Sequence, residues 1–368
     1  MKKNVLITGA TGFLGSQILK ELLNDDDICP TVLARSKKKE SVNSRIEKTL
    51  KYFYGDKYKA FLKRVKIVEG SLETASLGLD DAIAENIIEE TDEIYHSAAV
   101  AEFRVPLETI RKANVRGTNS IMEFAVKCKD RGRLKRVNHI STTYVAGTKE
   151  GVFYEKDIDV GQKFNNTYEQ TKFEAELLVH EYMKKGLDVT IHRPSILIGD
   201  SVTGKTSNFK MLYQPLHFFS AELFEAIPAD KDADENLIPV DLAARAICII
   251  AKAKESVNKT YHIANTACVK VGHFLDVAGD FFGFKKPELV DKKDFDMKRL
   301  TFVQRNLIGP YIPYFNYKTG FDVANARSIL ERNGFHYQAV SDHLLIKLFK
   351  FCADSGFVKP KRRYVAAG

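Results

Sequence analysis

Tyr168 and Lys172 are the two side chains whose spacing most directly suggests acid–base chemistry. They lie four residues apart at the start of an amphipathic helical pattern, so a helix places the phenol and the ammonium group on one face. A neighbouring cation favours the phenolate and is expected to lower the tyrosine pKa from about 10, so that the phenol can act as a general acid or base. The same spacing recurs at Tyr314 and Lys318, but nearby prolines disfavour a regular helix there. We predict that the first pair is catalytic, against the alternative of a coincidence on the surface.

Three consecutive hydroxyl side chains, Ser141, Thr142 and Thr143, follow a strand pattern at Arg136–Ile140. Doubly wound sheets bind ligands at the carboxyl ends of their strands. One of the three hydroxyls is therefore expected to hydrogen-bond a substrate carbonyl.

A glycine-rich turn follows the first strand pattern and precedes a helical pattern. It reads Thr8-Gly9-Ala10-Thr11-Gly12-Phe13-Leu14-Gly15. The glycines permit a tight turn and a close approach of the backbone to a pyrophosphate, while the start of the helix supplies N–H donors and a positive dipole. Three glycines alone are weak evidence, but their place between a strand and a helix predicts a dinucleotide site.

The residues after the second strand pattern select the form of the dinucleotide. An acidic residue there would bind the ribose 2′-hydroxyl of NAD, whereas this chain has Arg35-Ser36-Lys37-Lys38. Arg35 and Lys37 suit a 2′-phosphate, which predicts NADP(H) as the cofactor. The alternative is an exposed charged turn without a ligand.

A second glycine motif, Gly199-Asp200-Ser201-Val202-Thr203-Gly204-Lys205-Thr206, matches the P-loop pattern at every fixed position. A true P-loop would make the chain an ATPase or a kinase. It requires a central strand before it, a helix after it and an acidic residue on a later strand for Mg²⁺. Pro215 lies in the next helical region and no later strand supplies the acid, so we interpret the motif as a cap loop.

The elements that must position these residues alternate between short strands and longer helices up to Ile198. This alternation predicts an α/β fold, a Rossmann doubly wound parallel sheet. Residues 1–198, with 236–265 returning to them, are expected to form the NADP-binding domain. Residues 199–235 and 266–368 are expected to form a smaller mixed α/β substrate cap. The expected elements are strands Val5–Thr8, Thr31–Ala34, Val65–Glu69, Glu93–Ser97, Arg136–Ile140, Asp188–Arg193 and Thr260–Ile263, and helices Phe13–Leu23, Leu107–Cys128 and Tyr168–Lys185.

The composition narrows the setting in which the chain works. Five scattered cysteines without a Cys-x-x-Cys pair disfavour a disulfide framework and a zinc site, so we expect a cytoplasmic protein without a metal. No apolar run reaches the roughly 18 residues of a membrane span.

The net charge of +8 suits solubility, or an anionic partner such as a dinucleotide, a phosphopantetheine thioester or an acidic acyl-carrier protein. Nucleic acid is disfavoured because no binding motif accompanies the charge. The basic segment 359–363 leaves a peripheral contact with an anionic membrane open.

Several short sequence segments together resemble those of a known family. The glycine turn with Tyr168-x-x-x-Lys172 resembles the extended short-chain dehydrogenases/reductases. Over roughly residues 1–265 the chain is similar to the thioester reductase and fatty acyl-CoA reductase branch, and the last hundred residues match only loosely. The phrases that carry this similarity are Ile94–Ala99, Asn114–Thr118, Ile140–Gly147, Arg193–Ile196 and Ile238–Asp241.

The resemblance implies roles for the catalytic residues. Thr142 takes the position of the catalytic hydroxyl, with Ser141 and Thr143 as alternates. Asn114 steadies the lysine, through a water in relatives, and Lys172 also holds the nicotinamide ribose.

It implies a nucleotide site as well. Relatives usually have Gly-Asp-Leu after the third strand, whereas this chain has Gly70-Ser71-Leu72, so we expect somewhat weaker binding of adenine. By the same resemblance, Ser97, Ala98 and Ala99 contact a ribose of the nucleotide, and Pro194 and Ser195 contact the nicotinamide.

The implied reaction is the NADPH-dependent reduction of an acyl thioester, carried by coenzyme A or a carrier protein. Hydride addition forms an oxyanion that the Thr142 and Tyr168 hydroxyls stabilise, loss of thiolate gives an aldehyde, and a second hydride would give an alcohol. The aromatic segment 209–224 is either an acyl-chain site or ordinary core. The alternatives are a dehydrogenase or epimerase of a sterol-like or sugar-nucleotide alcohol, and an NADP(H) sensor without turnover.

Overall fold

The computed structural model describes residues 2–37 and 40–361. Lys38 of the expected 2′-phosphate segment and the end of the basic tail lie outside the described residues. The strands are β1 Lys3–Thr8, β2 Ile28–Ala34, β3 Lys66–Glu69, β4 Glu93–His96, β5 Arg136–Ile140, β6 Gly151–Phe153, β7 Val189–Pro194, β8 Ile196–Ile198, β9 Ala226–Pro228, β10 Asp234–Glu235, β11 Leu237–Pro239, β12 Thr260–Ile263, β13 Val269–Lys270, β14 Glu288–Val290 and β15 Thr319–Phe321. The α-helices are α1 Phe13–Leu23, α2 Val42–Tyr54, α3 Tyr58–Leu62, α4 Asp81–Glu90, α5 Leu107–Arg111, α6 Gly117–Arg131, α7 Thr167–Lys184, α8 Tyr213–Ser220, α9 Val240–Lys252, α10 Val271–Phe282, α11 Phe302–Ile308, α12 Ala324–Arg332 and α13 Asp342–Asp354.

Seven strands form a central sheet in the spatial order β3-β2-β1-β4-β5-β7-β12. Every neighbouring pair in this sheet is parallel. The strand order reverses beside β1, which is the point at which doubly wound sheets bind ligands. The predicted fold class is therefore confirmed, and Thr260–Ile263 joins the edge of the sheet as its pattern predicted.

Alternate residues of the central strands face two separate cores, because successive side chains of a strand point to opposite faces. Val5 and Ile7 of β1 pack into a core that also contains buried residues of α1, α2, α9 and α12. Leu6 packs on the other face, in a core with buried residues of α4, α6 and α7. Both faces are covered by helices, which accounts for the nearly continuous apolar character of β1.

A third core, rich in aromatic side chains, lies in the cap segments. It contains Tyr213 and Phe219 of α8, Phe282 of α10 and Phe349 of α13. One short strand ties the cap to the rest of the chain, since β15 pairs with β6.

The expected helix Leu107–Cys128 is interrupted. Helix α5 ends at Arg111, residues Lys112–Arg116 form a π-helical turn, and α6 then runs to Arg131. Asn114 lies in this wider turn, where its side chain accepts from the Val100 N–H at 2.7 Å and donates to the Val100 carbonyl at 3.1 Å. These long-range bonds stabilise a turn that local periodicity does not predict.

Glu155 connects the last strand of the sheet to the start of α12. Its carboxylate, 1% exposed, accepts from the backbone N–H groups of His262, Asn325 and Ala326 at 2.9, 2.5 and 3.1 Å.

We expect Glu155→Ala to lower the free energy of unfolding by about 3 kcal/mol, because three buried donors lose their acceptor. Urea unfolding measures this loss. The control Glu150→Ala removes an exposed carboxylate and should change the free energy by less than about 0.5 kcal/mol. Equal stability of the two variants would contradict the assigned contact.

Candidate active site

A cavity of about 650 Å³ opens at the carboxyl ends of β1, β4, β5 and β7. Cap residues between 208 and 218 and between 307 and 314 close its other side. It brings together these predicted site residues: Gly12, Phe13, Leu14, Gly15, Ser97, Ala99, Thr142, Tyr168, Lys172, Pro194 and Ser195.

The glycine turn is built by close backbone contacts. Gly9 has φ +77°, and a Cβ there would lie 2.6 Å from the Ala98 nitrogen. A Cβ on Gly15 would lie 2.2 Å from the Gly9 carbonyl oxygen, while the Gly12 N–H donates to that oxygen at 2.8 Å. Only glycine fits at Gly9 and Gly15, so the first turn of α1 lies directly against the end of β1.

Thr8 and Ala98 lie behind this turn rather than in the cavity lining. The Thr8 hydroxyl is within 2.8 Å of His96 Nδ1 and accepts from the Ala98 N–H at 3.4 Å. Burial lowers the pKa of His96 to about 3, so the ring is neutral. These bonds hold the ends of β1 and β4 together beneath the turn.

Lys172 is anchored below the cavity on α7. It is 3% exposed, and its Nζ donates to the Ile140 carbonyl at 2.7 Å. Burial lowers its pKa to about 8, and the carboxylate of Glu176 one turn further along opposes that shift. The ammonium group therefore ties the catalytic helix to the end of β5.

Tyr168 lies one turn before Lys172 and lines the same cavity. Burial raises the pKa of Tyr168 to about 12, and the nearby Thr142 hydroxyl only partly opposes this rise. The expected lowering of the tyrosine pKa by Lys172 is therefore wrong for this structure. Desolvation of the phenol is the largest cause of the rise, and the Lys172 Nζ bonds to the Ile140 carbonyl.

The structure distinguishes the three consecutive hydroxyls. The Ser141 hydroxyl donates to the buried carboxylate of Glu176, which Arg193 Nε also contacts at 2.9 Å. Thr143 is fully buried and lies outside the cavity lining. Ser141 and Thr142 both line the cavity, but only the Thr142 hydroxyl is free of a carboxylate, since it donates to the Pro194 carbonyl at 3.2 Å. Of the three, Thr142 has the placement that a substrate contact requires.

Asn114 lies near the catalytic helix without touching Lys172. Its Nδ2 donates to the Thr171 hydroxyl at 3.1 Å, and the side chain is 2% exposed. Its expected action on the lysine through a water stays a prediction.

The residues expected to bind the adenosine half of the dinucleotide lie outside the 650 Å³ cavity. Arg35 is exposed and pairs with Glu73 at 2.8 Å, while Lys37 forms an isolated β-bridge with Glu40. The Ser71 hydroxyl accepts from the Glu73 N–H at 3.2 Å. Leu72 packs near Gly117 at the start of α6.

Arg45 is a further residue of this end that sequence reasoning missed. Its guanidinium donates to the Thr11 hydroxyl at 2.5 Å and to the Arg35 carbonyl. It therefore joins the glycine turn to the end of β2, where the ribose of a dinucleotide is expected. Its place ten residues after Arg35, on α2, gave no signal, because the direction of that helix is a tertiary property.

Ser195 is suited to a ligand contact. Its hydroxyl is buried without a hydrogen-bond partner in the described part of the chain, and the residue lines the cavity. An unpaired buried hydroxyl that lines the same cavity as the glycine turn fits the amide of a nicotinamide, since such a group is normally satisfied. The residues present thus fit a nicotinamide dinucleotide.

The P-loop motif lacks its required setting. Strand β8 before it pairs with β11 outside the central sheet, and after Thr206 no helix begins until Tyr213. Asp200 instead accepts from the Thr203 N–H and hydroxyl, both at 2.8 Å, which closes the loop on itself. The triphosphate interpretation is therefore not supported.

The cap segment 209–224 contributes both to core and to cavity. Tyr213 and Phe219 pack in the cap core, whereas Met211 and Phe218 also line the cavity. From the second cap segment Tyr314 lines the cavity, and its hydroxyl donates to the buried Glu169 carboxylate at 2.7 Å.

Within residues 2–37 and 40–361, no group of three or more His, Cys, Asp or Glu side chains could hold a metal ion. No helix there is long and apolar enough to cross a membrane.

Comparisons with known proteins identify the family. The model of the NAD-binding family described as male sterility protein matches residues 7–247. The chain belongs to this family. It is an extended short-chain dehydrogenase/reductase of the thioester-reductase-like branch, as its motifs predicted, and thus an oxidoreductase with a nicotinamide dinucleotide-binding domain.

Individual relatives agree with this assignment. The L-2-aminoadipate reductase large subunit of Penicillium chrysogenum is 27% identical over 308 residues, which are 77% of this chain and 21% of that protein. The chain thus spans only about a fifth of that relative. The terminal R domain from the myxalamid PKS-NRPS biosynthetic pathway has a TM-score of 0.84 and 26% identity, over 98% of this chain and 93% of that chain. UDP-glucuronic acid 4-epimerase from Bacillus cereus, in complex with NAD, shares the fold with a TM-score of 0.70 and 16% identity, over 97% and 99% of the two chains.

The glycine turn can be tested by adding one methyl group. Gly15→Ala places a Cβ against the Gly9 carbonyl, so the turn must shift and nucleotide affinity should fall by about tenfold or more, equivalent to about 1.4 kcal/mol. Fluorescence titration with the reduced dinucleotide measures the loss. The matched control is Gly320→Ala, where a Cβ meets no atom within 4 Å. Unchanged affinity in Gly15→Ala would mean that the nucleotide binds elsewhere.

Proposed function

We propose that the protein is an NADPH-dependent reductase of acyl thioesters. The observation that carries this proposal is the single cavity that joins the glycine turn, the Thr142, Tyr168 and Lys172 side chains, and an apolar, aromatic cap. The first part fits a dinucleotide, the second a reacting carbonyl and the third an acyl chain.

NADPH rather than NADH is proposed because the end of β2 is basic. Arg35 and Arg45 meet there, and the position that an acid occupies in NAD-specific sites is Arg35. An arginine fork suits the planar geometry of a phosphate.

When bound, the reduced nicotinamide supplies a hydride to the thioester carbonyl carbon. The residues of this chain stabilise the charge that develops on the carbonyl oxygen. Tyr168, whose pKa is raised to about 12, is a neutral phenol at pH 7 and can donate a hydrogen bond, as can the Thr142 hydroxyl. In the net reaction one thioester, one hydride and one proton give an aldehyde and a free thiol.

The substrate carrier is proposed to be a phosphopantetheine, on coenzyme A or an acyl-carrier protein. Arg104 is exposed and lines the cavity, and so does Lys210, which pairs with Glu102 at 2.5 Å. Cations at this position suit the phosphate of such a carrier.

A dehydrogenase or epimerase of an alcohol would use the same hydroxyl and phenol. The likeness to an epimerase at 16% identity concerns the fold alone. An assay of NADPH oxidation with acyl-CoA, acyl-carrier, aldehyde, sterol and UDP-sugar substrates separates these activities, and aldehyde formed only from thioesters is the expected result.

Tyr168→Phe should lower kcat for thioester reduction by about 10²-fold or more, because one donor to the oxyanion is lost, while NADPH binding persists. Stopped-flow NADPH oxidation and fluorescence titration measure the two properties. Tyr182→Phe, on the same helix with its hydroxyl bonded to Asn119, is the control and should keep its rate. Near-normal turnover in Tyr168→Phe would remove the proposed donor.

Arg45→Ala and Arg35→Asp should each raise the KM for NADPH more than the KM for NADH, because only the former carries the 2′-phosphate. A change in the NADPH:NADH ratio of kcat/KM by about tenfold is expected. Lys48→Ala, on the same helix as Arg45 and paired with Glu40, is the control. If the ratio stays constant in both arginine variants, neither residue binds the phosphate.

A further inference from the structure

A second, smaller cavity lies beside the first within the cap. It has a volume of about 30 Å³, and its lining is apolar or aromatic apart from one carboxyl group, that of Glu235. Ile196, Met211, Tyr311 and Tyr314 line both cavities and form a wall that the two share. A space of this size holds one water or one group of similar size.

Glu235 is buried and has no partner. It is 6% exposed, and its side chain makes no hydrogen bond or ion pair with any residue in the described ranges. Its neighbour on β10, Asp234, faces solvent and pairs with Lys270 at 2.8 Å. Lys270, which follows the paired residue Val269 on β13, is thus engaged by Asp234 rather than by Glu235.

Burial without a partner favours the protonated form of this carboxyl group. It raises the pKa of Glu235 to about 8, with no opposing contact. An isolated buried charge is costly, and a carboxyl in this setting gains most from a cationic or strongly donating ligand. The apolar walls offer such a ligand no competing acceptor.

The charge of Glu235 also acts on a residue of the main cavity. Tyr144, two residues after Thr142, lines the main cavity, and after burial the charge of Glu235 is the largest cause that raises the pKa of its phenol. An acyl chain that passes Tyr311 and Tyr314 in the main cavity reaches the wall that this cavity shares with the one lined by Glu235.

Met211 lines both cavities and has an unusual backbone conformation. It is a non-glycine residue with φ +46°, a conformation that costs free energy and is found where function requires it. Its unbranched side chain lines both cavities and has three rotatable bonds, so it can move aside for a ligand.

We propose that Glu235 and the 30 Å³ cavity form a subsite for a primary ammonium group on the substrate's acyl chain. The proposal rests on the reductase function above and assigns its substrate class: acyl thioesters that carry an amine at a distance from the carbonyl. The amine pairs with the Glu235 carboxylate while the methylene groups pack against Tyr311 and Tyr314.

The test uses matched pairs of pantetheine thioesters whose acyl chains end in either an ammonium or a methyl group, at several chain lengths. kcat/KM for NADPH oxidation is measured for each. Binding of the corresponding pantetheine amides, which are not reduced, is measured by calorimetry on the full chain with NADP⁺ present. The amide measurement reports on the subsite even if no thioester is turned over.

Three variants are compared with the native chain. Glu235→Gln keeps the shape without the charge, Glu235→Leu makes the subsite apolar, and Asp234→Asn removes the adjacent, solvent-facing carboxylate as the control. If Glu235→Leu fails to fold, Glu235→Gln provides the same comparison.

At one chain length or more the native protein should bind the ammonium amide about tenfold more tightly than the methyl amide. Glu235→Gln should lose this preference, Glu235→Leu should reverse it, and Asp234→Asn should retain it. Equal preferences in the native and Glu235 variants at every length would overturn the proposal, as would an equal effect of Asp234→Asn. A Glu235-dependent preference without thioester reduction would retain the subsite and reject the proposed reaction.

Discussion

The hydrogen bond from Lys172 to the Ile140 carbonyl is the contact on which the geometry of the site depends. It holds α7 against the end of β5, and so places the phenol of Tyr168 above the hydroxyl of Thr142. One turn further along α7, the Glu176 carboxylate accepts hydrogen bonds from Ser141 and Arg193. Because Arg193 lies on β7, these bonds attach the helix to that strand as well. Buried charges of this kind are stable only when paired and hydrogen-bonded, so the polar network fixes one arrangement of helix and sheet.

The same helix connects to the cap through a second buried contact. Glu169, next to Tyr168, accepts from the Tyr314 hydroxyl, and Asn166 donates to the same oxygen atom of Tyr314 at 2.7 Å. Phe103 stacks on the Tyr314 ring at 5.4 Å between centroids. The wall that faces the acyl chain is therefore attached to the helix that carries the proposed proton donor, and the two parts of the cavity keep a fixed separation.

The sequence predicted the nucleotide half of the protein well because the signals there are local. Helix α1 and strands β5 and β12 have the predicted bounds, and the glycine turn and the Tyr168–Lys172 spacing lie where their patterns indicated. The predictions that failed concern properties set by the burial of a side chain or by contacts between residues far apart in the chain. Spacing on a helix predicts that two groups are neighbours but not how strongly the protein desolvates them, so the direction of the Tyr168 pKa shift was wrong.

The same limit applies to residues that the sequence did not reveal. The interruption at Asn114 arises from bonds to Val100, which precedes the helical pattern. Arg45 and Glu235 have ordinary sequence neighbours, and their importance follows from what the fold brings beside them. Local propensity contains no information on such pairs, because each requires the packing of elements far apart in the chain.

The interleaving of sheet and cap has a consequence for how the chain acquires its structure. Residue 151 of β6 pairs with residue 319 of β15, and β12 reaches the sheet only after the first cap segment has left it. Contacts between such distant segments require large loops to close before any stabilisation is gained, which slows folding. A chain that is still being synthesised cannot complete its seven-stranded sheet until β12 has been made. The β6–β15 pair can form only after most of the cap has been synthesised. Apolar strands are thus exposed late in synthesis, which makes that stage the one most sensitive to aggregation.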